Sequence, residues 1–384
     1  MSNRNSHACT DRAAAPLQKK VAKGKSARHA RHRGVTLIEL MISMTLGLVA
    51  IGALGSLFVA SKQISRIQEN LGDVQETGRL GFEVLAREVR MAGHLGCPRT
   101  GRVVNLLKNQ GSDWWANAFA APIAGYDEAQ TFAPATTRIA GTDVLTILRA
   151  GNNSMSVTGF DNTNERFTLN KAHTFKNNGV AIVCDNAQAS VFHLATPSGS
   201  QFDIQAKSNG TTGNCSAYVG HPGSCPASAA SEVAGSCSGG LRPCDYTYGA
   251  DATVSPYEAT AFYIGTNDNG VRALFRMNLS NAFAAQEIIE GVWDMQLLYG
   301  QDTNADGQAD RYQSATQLGA PGSANWAQVV SVQVNLVTYS PENNVATDKQ
   351  QYTAGFTSTS KTTATDNHLR KAFSGTAFVR TPFN

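Results

Sequence analysis

From Leu40 to Ala60 the chain runs for 21 residues without a charge. At 1.5 Å per residue that is enough helix to cross a hydrocarbon core of about 30 Å. Beyond Ala60 the helical period continues with a narrower apolar stripe. Ile64, Ile67, Leu71, Val74, Gly78, Gly81 and Leu85 recur at spacings of three and four. Lys62, Arg66, Glu69, Asp73, Glu76 and Arg79 lie on other faces. The pattern predicts one helix that leaves a membrane and lays a seam on a globular body. Glycines 72, 78 and 81 each weaken such a helix by about 1 kcal/mol relative to alanine, so tertiary packing must hold it. Gly93, Gly96 and Pro98 end it.

Past residue 96 the period changes to two. Val330, Val332, Val334 and Leu336 alternate with Ser331, Gln333 and Asn335, the mark of a half-buried strand. Further strands are expected at Asp143–Leu148, Val180–Cys184, Ser190–Leu194, Thr260–Gly265, Val271–Met277, Gly291–Tyr299 and Ala372–Arg380. Asn267-Asp268-Asn269-Gly270 supplies a turn between two of them. A sheet with one long helix makes the fold class α+β.

Charge divides the chain. The net is +3 over 384 residues, but residues 1–34 carry nine Lys or Arg against Asp11 alone, leaving −5 for the remainder. A net of +3 gives no reason to expect a nucleic-acid partner. The basic block before the apolar run keeps residues 1–34 in the cytoplasm and exports the body. Glu39 stands five residues into the apolar stretch that begins at Val35, where a charge costs roughly 2.5–3.5 kcal/mol at mid-membrane; its position fits either a functional residue or a side chain that snorkels to the headgroups.

The residues Arg33-Gly34-Val35-Thr36-Leu37-Ile38-Glu39-Leu40-Met41 resemble the type IV prepilin signature. The resemblance implies that a prepilin peptidase cuts after Gly34 and methylates the new amino terminus at Val35, where the family more often has phenylalanine. It also implies that the Glu39 carboxylate pairs with the terminal amine of a neighbouring subunit. In a low-dielectric bundle such a pair sets axial register, because misalignment leaves both charges unpaired. Gln68–Cys97, Ala261–Met277 and Leu369–Arg380 are similar to stretches of the PilW family of pilus assembly proteins. The expected organisation is a basic leader (1–34), a helix (35–95, with its anchor at 35–60) and a β-rich, pilin-like body (96–384). The resemblance implies a minor pilin of a type IV pilus that starts assembly or sits near the tip. Its partners would be other minor pilins, the major pilin and the inner-membrane assembly platform. Its rivals are a type II secretion pseudopilin and a membrane-tethered adhesin or ligand-binding module.

Six cysteines follow the leader: Cys97, Cys184, Cys215, Cys225, Cys237 and Cys244. An even set in an exported, Gly/Ser-rich body points to disulfides, with 15 connectivities open. Four of them lie in residues 207–245, a polar stretch that needs such staples to order itself; Cys97 and Cys184 are then left as a third pair. Asp302, Asn304, Asp306, Gln308 and Asp310 space their side-chain oxygens as the first part of a calcium loop does, with Gly307 at the sharp turn. Gln313 stands where the loop's closing glutamate belongs, so Ca2+ is an expectation alongside a plain polar turn. No G-x-S-x-G or H-E-x-x-H occurs, and an enzyme is not expected. Trp114-Trp115 fits either a sugar or partner surface or partly buried packing.

Overall fold

The computed structural model describes residues 34–96, 102–108, 113–117, 121–161, 163–205, 213–216, 218–219, 246–356 and 361–380. The chain divides into a unit up to Ala60 and a unit from Ser61 onward. Helix α1 (Leu37–Met91) has 55 residues. After it come β1 (Arg102–Asn105), β2 (Ile123–Tyr126), β3 (Val144–Ala150), β4 (Met155–Asp161), β5 (Arg166–Leu169), β6 (Val180–Cys184), β7 (Gln188–Ser198) and β8 (Gln201–Ile204). Then follow β9 (Thr253–Thr266), β10 (Arg272–Asn278), β11 (Gln286–Glu290), β12 (Val292–Gln301) and β13 (Arg311–Gln313). Two short helices, α2 (Ala315–Leu318) and α3 (Ala324–Ala327), precede β14 (Val329–Tyr339), β15 (Gln351–Thr353), β16 (Lys361–Thr363) and β17 (Arg370–Phe378).

The strands form an 11-stranded sheet, a four-stranded sheet in the order β13-β12-β14-β17, and the two-stranded pair β15-β16. The 14-residue β9 organises the large sheet, pairing with β3, β4, β6 and β10. Among the described residues all ladders are antiparallel but one: β1 runs parallel to β7, so the large sheet is mixed. Each strand read from alternation is present, some of them longer. The Asn267–Gly270 turn is closed by the Asn267 side chain, which accepts from the N–H groups of Asn269 (3.1 Å) and Val271 (2.9 Å).

The main core lies where the second half of α1 meets both sheets. Leu85, Ala86 and Val89 join Val332, Val334 and Leu336 of β14, Met295 and Leu297 of β12, and Phe262 and Ile264 of β9. A fully buried Leu or Val contributes roughly 1.5–3 kcal/mol. Polar ties fix the seam. The Thr338 hydroxyl donates to Val74 O (2.9 Å), and Arg149 of β3 meets buried Glu88 at 3.3 Å. Arg66 meets Glu342 at 2.8 Å.

The glycines that weaken α1 are also where it approaches the sheet. A Cβ on Gly78 would lie 2.6 Å from Phe373 Cγ, and a Cβ on Gly375 of β17 would lie 2.6 Å from Phe82 Cε2 of the helix. Each surface therefore offers a hole to the other's phenyl ring. At the end of the helix, Gly93 takes φ 73°, and its N–H donates to Leu148 O (2.9 Å).

β14 is covered on both faces, which alternation did not foretell. Ser331 and Thr338 are fully buried, and Asn335 is 1% exposed. Asn335 Nδ2 donates to the carbonyls of Thr353 (3.5 Å) and Gly355 (3.3 Å), while its Oδ1 accepts from Ser374 (2.8 Å). The β15-β16 segment thus caps the polar face of the strand, and side-chain hydrogen bonds make that burial tolerable.

Candidate assembly site at the start of the helix

Gly34, Val35 and Thr36 precede the first helical residue and are exposed. The Leu40 N–H donates to Thr36 O (3.1 Å), which makes Thr36 the N-cap and Glu39 the third residue of the helix. The Glu39 N–H donates to Thr36 Oγ1 (3.3 Å), and Glu39 Oε2 accepts from both the Thr36 N–H and the Thr36 hydroxyl (3.0 Å each). This is a capping box: two otherwise orphaned backbone donors are satisfied reciprocally. Its negative carboxylate sits at the positive end of the helix dipole. The Thr-x-x-Glu spacing was available in the sequence as a capping signature, yet Thr36 went unremarked there.

The Gly34–Val35 bond therefore lies in an open stretch just outside a fixed helix start, with nothing within 4 Å of the Gly34 Cβ position. Glu39 Oε2 serves the box, and Oε1 makes no hydrogen bond among the described residues. Behind the box, α1 is long and apolar enough to cross a membrane by length and composition. Leu46, Leu48, Val49, Ile51, Leu54, Leu57 and Phe58 along it are all exposed.

The loop after β12 is closed by its own backbone. The side chain of Asp302 accepts from four N–H groups: Asn304 (3.2 Å), Ala305 (2.7 Å), Asp306 (3.3 Å) and Gly307 (2.7 Å). Asp310 accepts from the Thr303 N–H (2.7 Å), the Thr303 hydroxyl (2.6 Å) and Asn304 Nδ2 (3.2 Å). Asp306 accepts from the Gln308 N–H (2.8 Å). Burial opposes ionisation of Asp302, but these donors outweigh it and hold its pKa below the usual carboxylate value. Among the described residues no group of three or more His, Cys, Asp or Glu side chains is disposed to hold a metal ion. The loop is thus held in shape by its own N–H donors, while the carboxylates of Asp302, Asp306 and Asp310 keep further lone pairs.

Cys184 and Cys215 each take part in a disulfide bond. Cys184 Sγ lies 3.4 Å from Leu95 O, close in sequence to Cys97. Cys97, Cys225, Cys237 and Cys244 lie outside the described residues. Val219 and Tyr248 meet at one side chain: Gln188 Nε2 donates both to Val219 O (3.0 Å) and to the buried Tyr248 hydroxyl (3.2 Å). Trp114 is buried among Phe132 and Phe283, with ring centroids 5.8 and 5.5 Å away. Half-buried Trp115 stands edge-on to His193. The tryptophan pair is mainly packing.

Comparison with known proteins places two matches on this framework. Residues 261–381 match the family model described as Type IV Pilus-assembly protein W, and residues 29–55 match the prokaryotic N-terminal methylation motif. The first match spans most of the four-stranded sheet on which α1 packs; the second spans the capping box. No curated protein and no solved structure matches the chain.

Proposed function

We propose that this chain, a PilW-like type IV pilus assembly protein with one helix suited to anchoring it in a membrane, acts as a minor pilin. Prepilin peptidase cuts the exposed bond after Gly34 and Val35 becomes the methylated terminus. The body resides in the periplasm until the subunit enters a pilus. Its work is packing and register, performed with other minor pilins, the major pilin and the assembly platform. The observation that carries this reading is the capping box at the head of a helix that is free of charge from Leu40 to Ala60. It preorganises Glu39 and leaves one carboxylate oxygen for a neighbour's terminal amine. Removing the leader leaves the box intact, because both of its members follow the scissile bond.

Mass spectrometry of the mature chain from sheared pili tests the proposal. It should show an amino terminus at Val35, one added methyl group, and the chain present in the filament. A deletion strain with normal piliation and twitching would refute the role.

A further inference from the structure

A cavity of about 240 Å³ in the body is rich in carboxyl groups. Its walls include Asp127 and exposed Glu128 after β2, Asp143 before β3, Leu298 of β12 and half-buried Phe356. All of them belong to the unit from Ser61 onward. Asp143 is only 4% exposed. Its N–H donates to Met295 O (2.9 Å), and its Oδ2 accepts from the Leu297 N–H (2.7 Å), which clasps the residue to β12. Its Oδ1 accepts no hydrogen bond among the described residues, although the residue lines the cavity. A buried oxygen left without a donor is costly. The fully buried Tyr299 hydroxyl, near enough to feel Asp143 and Asp127, also lacks a partner among the described residues.

The surrounding groups do not supply the missing donor. Asp127 accepts from the N–H groups of Ala315 (2.8 Å) and Thr316 (2.7 Å) at the start of α2. Arg138 feels both Asp127 and Asp143, yet its guanidinium donates to the carbonyls of Thr142, Gln130 and Asp127. Asp294 of β12 adds a further acid; Arg272, which faces it, donates to Trp293 O (3.0 Å). Asp127, Glu128, Asp143 and Asp294 form no ion pair among the described residues. Burial pushes Asp143 up to about 7 and Asp294 up to about 6, so negative charge is held here reluctantly.

The chemistry of the walls selects the kind of cation. Among the described residues no group of three or more His, Cys, Asp or Glu side chains is disposed to hold a metal ion. Asp143 presents one open oxygen, because Leu297 occupies the other. A guanidinium fork matches two parallel acceptors, whereas an ammonium is a compact donor suited to one. Leu298 and Phe356 offer apolar wall to an alkyl stem.

We propose that this cavity binds a primary alkylammonium group, with Asp143 Oδ1 accepting from its nitrogen and Phe356 beside its stem. A lysine side chain of a partner protein and a free polyamine present the same chemistry. The site owes nothing to the pilin proposal. Binding requires the Asp143 carboxylate, so any proton on it passes to the buffer as the cation enters. At pH 7 the group is half protonated, and about half a proton is released per cation. Affinity should rise about tenfold from pH 6 to pH 8, where the amine itself stays charged, and Asp294 titrates in the same direction.

The test uses the full chain in detergent, titrated calorimetrically with n-butylammonium chloride. Saturable binding should appear, with proton release read from the difference between phosphate and HEPES buffers. Asp143→Asn should weaken binding about tenfold or more and abolish the release, and Glu128→Gln should weaken it a few-fold. If Asp143→Asn fails to fold, the pH profile of the unaltered chain decides. n-Butylguanidinium should bind several-fold more weakly because of its fork, and tetramethylammonium because it has no N–H donors. Four results would each overturn the proposal: no saturable heat from n-butylammonium, equal binding of tetramethylammonium, tighter binding of the guanidinium, or an affinity independent of pH. Carbodiimide treatment of cells making the chain then separates the two sources. The reagent joins a carboxylate to a touching amine as an amide and carries off the lost oxygen as its urea. Mass spectrometry should find Asp143 or Glu128 joined to a lysine of another protein or to a polyamine. Absence of both adducts would count against the site in cells and overturn it there.

Discussion

Alanine at two glycines of α1 should shift stability in opposite directions. Gly72 and Gly78 both lie within the helix, so each gains about 1 kcal/mol of helix propensity on becoming alanine. Gly72 is exposed and has nothing within 4 Å of its Cβ position. Its substitution should return that gain. At Gly78 the new Cβ would lie 2.6 Å from Phe373 Cγ, where carbon contacts settle at about 3.5–4.0 Å. Phe373 Cδ2 and Cε2 would be closer still, so well over ~1 Å must be found. The ring can swing out of its half-buried place, or helix and sheet can separate against the Thr338 and Glu88–Arg149 ties. Overpacking of this kind costs about 1–3 kcal/mol. Propensity cancels between the two variants, so their difference isolates the steric cost. Unfolding of the detergent-solubilised mature protein, followed by tryptophan fluorescence, reads it as opposed shifts of roughly 1–2 °C per kcal/mol. Adding Phe373→Leu to Gly78→Ala should recover part of the loss. Equal shifts of the same sign for Gly72→Ala and Gly78→Ala would refute the reciprocal-hole account of how α1 seats.

Four further substitutions probe other parts of the molecule. Burial pushes the Asp143 pKa up to about 7, against the Leu297 N–H that its carboxylate accepts. The folded chain then keeps a proton that the unfolded chain gives up between about pH 4 and 7. Stability from this group falls across that window, and Asp143→Asn should be the more stable form at pH 7.5, with the gap closing toward pH 4 in urea titrations. Two hydrogen bonds from Arg370 hold Asp366 down at about 2. The stability it lends is lost as pH falls from about 4 to 2, and Asp366→Ala should cost roughly 3 kcal/mol at neutral pH by leaving buried Arg370 unpaired. Thr36→Val should remove the cap, costing about 1 kcal/mol locally and raising amide exchange at Leu37–Glu39, while Thr36→Ser should not. Asp302→Ala should speed proteolytic cleavage within 302–310 in EDTA and in calcium alike; protection of the unmutated loop by calcium alone would show that it rearranges around the cation.

Periodicity revealed the helix, β12 and β17 because those elements each have residues that water sees, whereas three-residue β13 was too short to show a period. Ile64 belongs to the predicted stripe yet is 55% exposed, since the seam begins further along, at Asn70 and Val74. The half-burial expected of β14 failed for a different reason. Ser331, Asn335 and Thr338 are buried by partners far along the chain, and a hydrogen-bonded polar residue carries no mark of its burial. The β4-β5-β8 region was missed as strand. Its apolar content is aromatic and irregularly spaced, with Phe160 and Phe202 gathering around Phe167 at centroid distances of 4.4 and 5.3 Å. At the helix start the residues proposed for cleavage and register stand in a short, highly constrained motif that the methylation-motif match also covers. The local chemistry joining Thr36 to Glu39 was written in the same letters but read only for their resemblance.

Under the proposed pilin role, Glu39 answers two demands with one side chain. A carboxylate placed in a membrane segment solely to await a neighbour's amine would stand unsatisfied, at a cost of a few kcal/mol, in every subunit not yet assembled. The capping box reduces that cost, because Oε2 is already bonded to Thr36 before any partner arrives. The carboxylate also offsets the exposed N–H ends of the first turn. Assembly then needs only the second oxygen. An incoming amine meets a carboxylate whose rotamer is set, so less side-chain freedom is lost on pairing. Glutamine at 39 would keep the bonds to Thr36 but supply no negative charge, whereas aspartate would keep the charge but shorten the reach of the box. Glu39→Gln should accordingly retain the helix start and lose incorporation into pili, and Glu39→Asp should weaken the helix start. If Glu39→Gln enters filaments as well as the unaltered chain does, the charge at this position has no role in register and capping alone explains the residue.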